Sequence, residues 1–219
     1  MIDRIILDNL NLKAFAGAPV SGAPSEVFTS KVEFLKGMSY LIEAGSGRGK
    51  SSFCSFLCGL RNDYTGFITF GNKTLKGGGH SASFFVQLRK ESIAVMFQDY
   101  KLFPELTAVE NVMLKSQLTG FCSESEVRSM LTRLGLAGHI DRPCATLSLG
   151  QQQRVAFVRA LAQPCDFILL DEPISHLDAE NANEMSRMLR ERQQRDNIGV
   201  IVTSIGYRLP YDYDVVMNL

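Results

Sequence analysis

The stretch Ala44-Gly45-Ser46-Gly47-Arg48-Gly49-Lys50-Ser51-Ser52 constrains this chain more than any other. An apolar run, Tyr40-Leu41-Ile42-Glu43, precedes it and reads as a strand. Residues 50–60 follow it with helical character, and Gly59 stands near their end. Glycines at this junction let successive backbone N–H groups turn inward, and the helix N-terminus behind them adds positive potential. Such a loop cradles a phosphate chain. Lys50 reaches the β- and γ-phosphates, the Ser51 hydroxyl can ligate Mg²⁺, and Gly45, Ser46, Gly47, Arg48, Gly49 and Ser52 complete the cradle. Ala44 stands where the strict pattern G-x-x-x-x-G-K-[ST] has glycine, and its methyl group fits if φ is negative there. A simple glycine/serine turn is the alternative. The strand before and the helix after favour the cradle.

The rest of the chain bounds what the loop serves. At 219 residues it can bury roughly 70% of the surface its unfolded form exposes. Apolar residues make up 45% and charged residues 21%, a globular composition. Lys plus Arg equals Asp plus Glu at 23 each, which argues against a nucleic acid or anionic surface held by bulk charge. The five cysteines form no CxxC pair, so a reducing compartment is expected. Cys54 and Cys58 read as small core residues. The N-terminus carries no secretory signal pattern, and no run reaches the ~18 apolar residues of a membrane span.

Residues 5–15 and 27–34 read as strands, separated by a Gly/Pro/Ser-rich loop at 16–26. Residues 67–70 read as a short strand, and Gly77-Gly78-Gly79 as a flexible loop. Helical spacing covers 106–118, 123–134 (opened by a Ser123/Glu126 capping box) and 149–161. Residues 167–170 and 198–203 are apolar strands flanking an amphipathic helix at 178–195. Continuous apolar strands between helices predict a parallel sheet covered on both faces. The expected fold is α/β: one unit over 1–219, with a P-loop core, a small antiparallel β subdomain and a helical insert near 100–160.

Asp171 and Glu172 end the run Phe167-Ile168-Leu169-Leu170 and are delivered to the same sheet edge as the phosphate loop. Asp171 can hold Mg²⁺ through water, and Glu172 can act as general base toward a water. Upstream stand Leu147-Ser148-Leu149-Gly150-Gln151-Gln152-Gln153-Arg154, with Ser148 lying 23 residues before Asp171. Arg159-Ala160-Leu161, Ser175-His176-Leu177-Asp178, Phe97-Gln98-Asp99 and Leu106-Thr107-Ala108-Val109-Glu110-Asn111-Val112 complete an ordered set. With these residues the chain resembles the ABC transporter ATPases along nearly its whole length. The LTAVENV stretch looks like the lipoprotein-release, macrolide-export and cell-division subgroup.

The resemblance implies an ATPase with ATP and Mg²⁺ as ligands, dimerised head to tail with a second ATP-binding chain, identical or not. It implies a transmembrane permease partner and a peripheral place on the cytoplasmic face of the membrane; with residues 214–219 closing the sequence, no appended regulatory domain is expected. Ser148, Gly150 and Gln151 would meet the nucleotide held by the partner chain, with Asp178 at the dimer interface. Gln98 would sense Mg²⁺ and water, alongside Ser51 and Asp171, and Phe15 would stack on adenine. Two departures stand out: Leu149 replaces a signature glycine, and Ser204 stands where the family has a catalytic histidine. An ATP-dependent signalling module with little turnover is therefore the alternative to a transport motor. A soluble ABC protein acting on nucleic acid is disfavoured by neutral charge and by a chain with only one ATPase half.

Overall fold

The computed structural model describes residues 1–12, 25–28, 30–79 and 81–219. Phe15, proposed as the adenine-stacking residue, lies outside the described residues.

Two sheets organise the chain. The first is antiparallel, in spatial order β2 (Lys31–Leu35), β1 (Arg4–Leu12), β4 (Tyr64–Phe70), β5 (Lys73–Lys76). The second is parallel throughout: β6 (Ile93–Met96), β7 (Phe167–Asp171), β8 (Gly199–Ser204), β3 (Ser39–Glu43), β9 (Val215–Asn218). Every residue of β7 and β8 is buried, as expected when both faces are covered.

Strand alternation divides the parallel sheet's side chains between two cores. Leu41, Ile168, Leu170, Val200 and Val202 pack with helices α3 (Ala108–Ser116), α4 (Glu124–Arg133), α5 (Leu149–Leu161) and α6 (Ala179–Asp196). Tyr40, Ile42, Phe167, Leu169 and Ile201 pack on the opposite face with α1 (Lys50–Leu57), α2 (Ala82–Glu91) and the antiparallel sheet. That second face is therefore covered by strands as much as by helices. Cys54 and Cys58 are buried in this second core, and the five cysteines are free.

Register sets the sheet edge that carries chemistry. Asp171 pairs with Thr203, and Glu43 with Ser204, so β7, β8 and β3 end side by side. The phosphate loop leaves β3 there and enters α1. Capping boxes start three helices: Thr107 with Glu110, Ser123 with Glu126, and Ser148 with Gln151. The second is the one the sequence predicts.

Several boundaries differ from expectation. The first helix stops at Leu57, because the Leu60 and Arg61 amides both fold back onto the Ser55 carbonyl. The strand expected at 27–34 is displaced to Lys31–Leu35, because the Ser25 hydroxyl accepts the Val27 and Phe28 amides and bends the chain. The glycine run at 77–79 is a hydrogen-bonded turn, tied to the Gly66, Asn62 and Lys76 carbonyls. β5, α2, β6 and β9 are elements the sequence pattern did not define. No helix among the described residues is long and apolar enough to cross a membrane.

Candidate active site

The phosphate loop is built on backbone that only glycine adopts without strain. Gly49 caps α1 with φ +99°, and a Cβ there would sit 2.9 Å from Leu12 Cδ1. Ala44 is not among the positive-φ residues, which meets the condition for its methyl group. Its amide donates to the Ser204 carbonyl at 3.1 Å, which ties the loop's entry to the end of β8. Lys50 is 5% exposed, and its Nζ donates to the Ala44 and Gly45 carbonyls at 2.9 and 3.0 Å.

Glu172 closes the same site from the β7 side. Its Oε1 lies 3.5 Å from Lys50 Nζ, and its Oε2 accepts from Gln98 Nε2 at 3.1 Å. Its φ of +51° is costly for a residue with a side chain, and such strain concentrates at functional sites. The left-handed turn breaks the strand's alternation directly after Asp171. The surroundings hold it there: the Glu172 amide donates to the Thr203 carbonyl, and its own carbonyl accepts from the buried Gln153 side chain. Asp171 is fully buried. Its Oδ1 accepts from Thr203 Oγ1 at 2.5 Å, while its Oδ2 has no hydrogen-bond partner among the described residues. A buried carboxylate oxygen left without a donor suits a hard divalent cation or that cation's water.

Ser46, Gly47, Gly49, Lys50, Ser51, Ser52, Gln98 and Glu172 thus line one cavity of about 390 Å³, joined by Leu12, Arg61 and Ile205. Gly45 and Arg48 line a neighbouring cleft of about 400 Å³. Ser148, Gly150, Gln151 and Asp178 line neither. They form a second unit. A Cβ on Gly150 would stand 2.6 Å from the His176 carbonyl, so the start of α5 packs directly on the loop after the acids. Arg154 donates to the Gly150 carbonyl and to Asn181, whose amide nitrogens donate to the Asp178 carboxylate. Those donors hold the Asp178 carboxyl below its usual range.

The glycine-rich loop, the carboxylate pair and a helix whose serine cap is exposed stand together as candidate parts of a nucleotide site. The sequence model of the ABC transporter family matches residues 30–175, two-thirds of the chain. The chain belongs to the ABC transporter family. The lipoprotein-releasing system ATP-binding protein LolD of Legionella pneumophila (strain Lens) is 33% identical over 202 residues, covering 87% of this chain and 88% of that protein. The macrolide export ATP-binding/permease protein MacB of Salmonella choleraesuis (strain SC-B67) is 34% identical over 184 residues, covering 79% of this chain but 28% of that larger protein. The dimeric structure of MJ0796, a bacterial ABC transporter cassette, superposes with a TM-score of 0.76 at 26% identity, covering 91% of this chain and 87% of that one. The same cassette is also known in a post-hydrolysis state bound to ADP and Pi. This chain is an ABC ATP-binding subunit and an ATPase.

Against that ABC framework, Ser204 is buried at the end of β8. Its hydroxyl donates to the Tyr207 carbonyl at 2.8 Å and accepts from the Gly206 amide at 3.0 Å. The side chain therefore builds the turn that exposes Ile205 on the cavity wall. Three residues that contact or line the candidate site went unread in the sequence: Thr203, Gln153 and Arg61. A glutamine on the buried side of α5 was the signal for Gln153. Arg61 lies outside every motif and had none.

Proposed function

We propose that two ATP-binding chains, this one and an identical or related partner, close head to tail around Mg-ATP and drive a transmembrane permease from the cytoplasmic face of the membrane. The dimer described for MJ0796 and the permease named in MacB support this assembly. The observation that carries it is the convergence of Lys50, Gln98 and Glu172 on one cavity, with Asp171, whose Oδ2 has no partner among the described residues, next to Glu172 in the chain. Lys50 and the loop amides hold the phosphates. Ser51, Gln98 and Asp171 would hold Mg²⁺, which neutralises phosphate charge when bound. Glu172 accepts the proton of the attacking water. Ser148, Gly150 and Gln151 present a helix N-terminus to the partner's nucleotide, consistent with the exposure of Ser148 and with their place outside this chain's own cavity. The Glu172→Gln variant is expected to dimerise with ATP in Mg²⁺ and not with ATP in EDTA, read by size-exclusion chromatography with and without the membrane partner. Equal dimer in EDTA would remove the metal from the site.

The engagement of Ser204 in its own turn favours a second reading, an ABC module with slow turnover. In the family the histidine at this place donates to the γ-phosphate, and losing one such donor commonly costs roughly a hundredfold or more in rate. Ser204→His is therefore expected to raise steady-state hydrolysis by about tenfold or more, measured with the membrane partner present. Brisk wild-type turnover that the substitution leaves unchanged or lowers would remove the slow-turnover reading.

A further inference from the structure

Arg61 has no place in the motifs above, yet it lines the same cavity as Lys50 and Ser51. It sits four residues beyond the end of α1, where the Leu60 and Arg61 amides return to the Ser55 carbonyl at 2.9 and 3.3 Å. That return lays the side chain back along α1 toward the helix N-terminus. It passes over Phe56, with its Cζ 5.4 Å from the ring centroid, and reaches Ser52, one turn earlier on the same helix face. Its Nε and Nη2 fork onto both Asp63 carboxylate oxygens at 2.9 and 2.6 Å. Its Nη1 donates to Ser52 Oγ at 2.7 Å.

The polarity of that last contact is fixed by chemistry. A guanidinium has donors and no acceptor, so Ser52 must accept. A hydroxyl has one proton and two lone pairs. With one lone pair occupied by Arg61, its proton is free to be given elsewhere, and no acceptor among the described residues takes it. Ser55, by contrast, spends its proton on the Ser51 carbonyl. We propose, resting on the nucleotide-site reading above, that Arg61 is a positioning residue that holds the Ser52 hydroxyl as a hydrogen-bond donor to a phosphate oxygen of the nucleotide. The Asp63 fork has two effects. It fixes the guanidinium plane, and it offsets the arginine's charge, so the pair acts by orientation more than by net attraction.

Calorimetric titration with Mg-ADP tests this on wild type, Arg61→Ala, Arg61→Lys, Ser52→Ala, the Arg61→Ala/Ser52→Ala double variant and Lys50→Ala, with thermal midpoints confirming that each variant is folded. Arg61→Ala and Ser52→Ala are each expected to weaken affinity roughly five- to tenfold. The double variant should be no weaker than the weaker single, because both remove one relay. Arg61→Lys should behave as Arg61→Ala, since an ammonium cannot fork onto Asp63 while pointing a fixed donor at Ser52. Losses that multiply in the double variant, or wild-type affinity in Arg61→Lys, would show that Arg61 acts by charge alone and overturn the relay. Wild-type affinity in Arg61→Ala, with binding lost in Lys50→Ala, would overturn the relay and leave the nucleotide site standing. Wild-type affinity in Lys50→Ala would take down the site reading itself.

Discussion

Replacing Glu172 with Gln is expected to lower ATP turnover by roughly 10²- to 10⁴-fold while nucleotide binding persists. Glu172 is 8% exposed and reached by two donors, Gln98 Nε2 at 3.1 Å and Lys50 Nζ at 3.5 Å. The amide keeps the shape, and its oxygen still accepts from one of these donors. It cannot take a proton from water. The backbone at φ +51° is unaffected, because the Thr203 and Gln153 contacts that hold it are made by main-chain atoms of Glu172. The variant should therefore bind ATP, stall before cleavage and accumulate as the closed dimer. Phosphate release under saturating Mg-ATP reads the first effect and chromatography the second. Wild-type phosphate release from Glu172→Gln would mean that another group, or no protein group, takes the proton.

Lys50→Ala should weaken nucleotide binding by roughly a hundredfold or more, measured by calorimetry. The ammonium is buried and donates to the Ala44 and Gly45 carbonyls, so the fold itself holds it within the proposed cradle. A charge-assisted contact made from such a site forfeits little ordering entropy on binding. The substitution also leaves the buried Glu172 carboxylate without its cation, so a lowered unfolding midpoint is expected alongside the lost affinity. Wild-type affinity in a folded Lys50→Ala protein would place the phosphates elsewhere.

Much of the site was legible in the sequence because its parts are local. A phosphate cradle needs glycines, a lysine and a hydroxyl within nine residues, and 44–52 supply them. A strand that ends in two acids is a six-residue pattern, and 167–172 carry it. The bounds of α5 agree with the helical spacing read at 149–161, while its Ser148 cap emerged only in the structure. The order of these patterns along the chain carried the family resemblance, and continuous apolar strands between helices carried the parallel sheet.

Short or weakly patterned segments were not legible. β6 and β9 have four residues each, too few for a period to emerge, and they exist because β7 and β3 offer ladder edges. α2 is buried at Phe85 and Leu88, too sparse a stripe to announce itself.

The sequence by itself placed the residues of the proposed site: the glycines and lysine of the loop, the two acids and the signature stretch. Each depends on neighbours a few residues away. The tertiary structure alone decided how those groups are aimed. Thr203 occupies one oxygen of Asp171 and leaves the other without a partner among the described residues, Glu172 is bent back toward Lys50, and Ser204 is drawn into its own turn. Arg61 reaches Ser52 because the chain folds back along α1. A hydrogen bond has direction and a reach of about 3 Å, and both are set by sheet register and backbone dihedral, which no spacing of letters records.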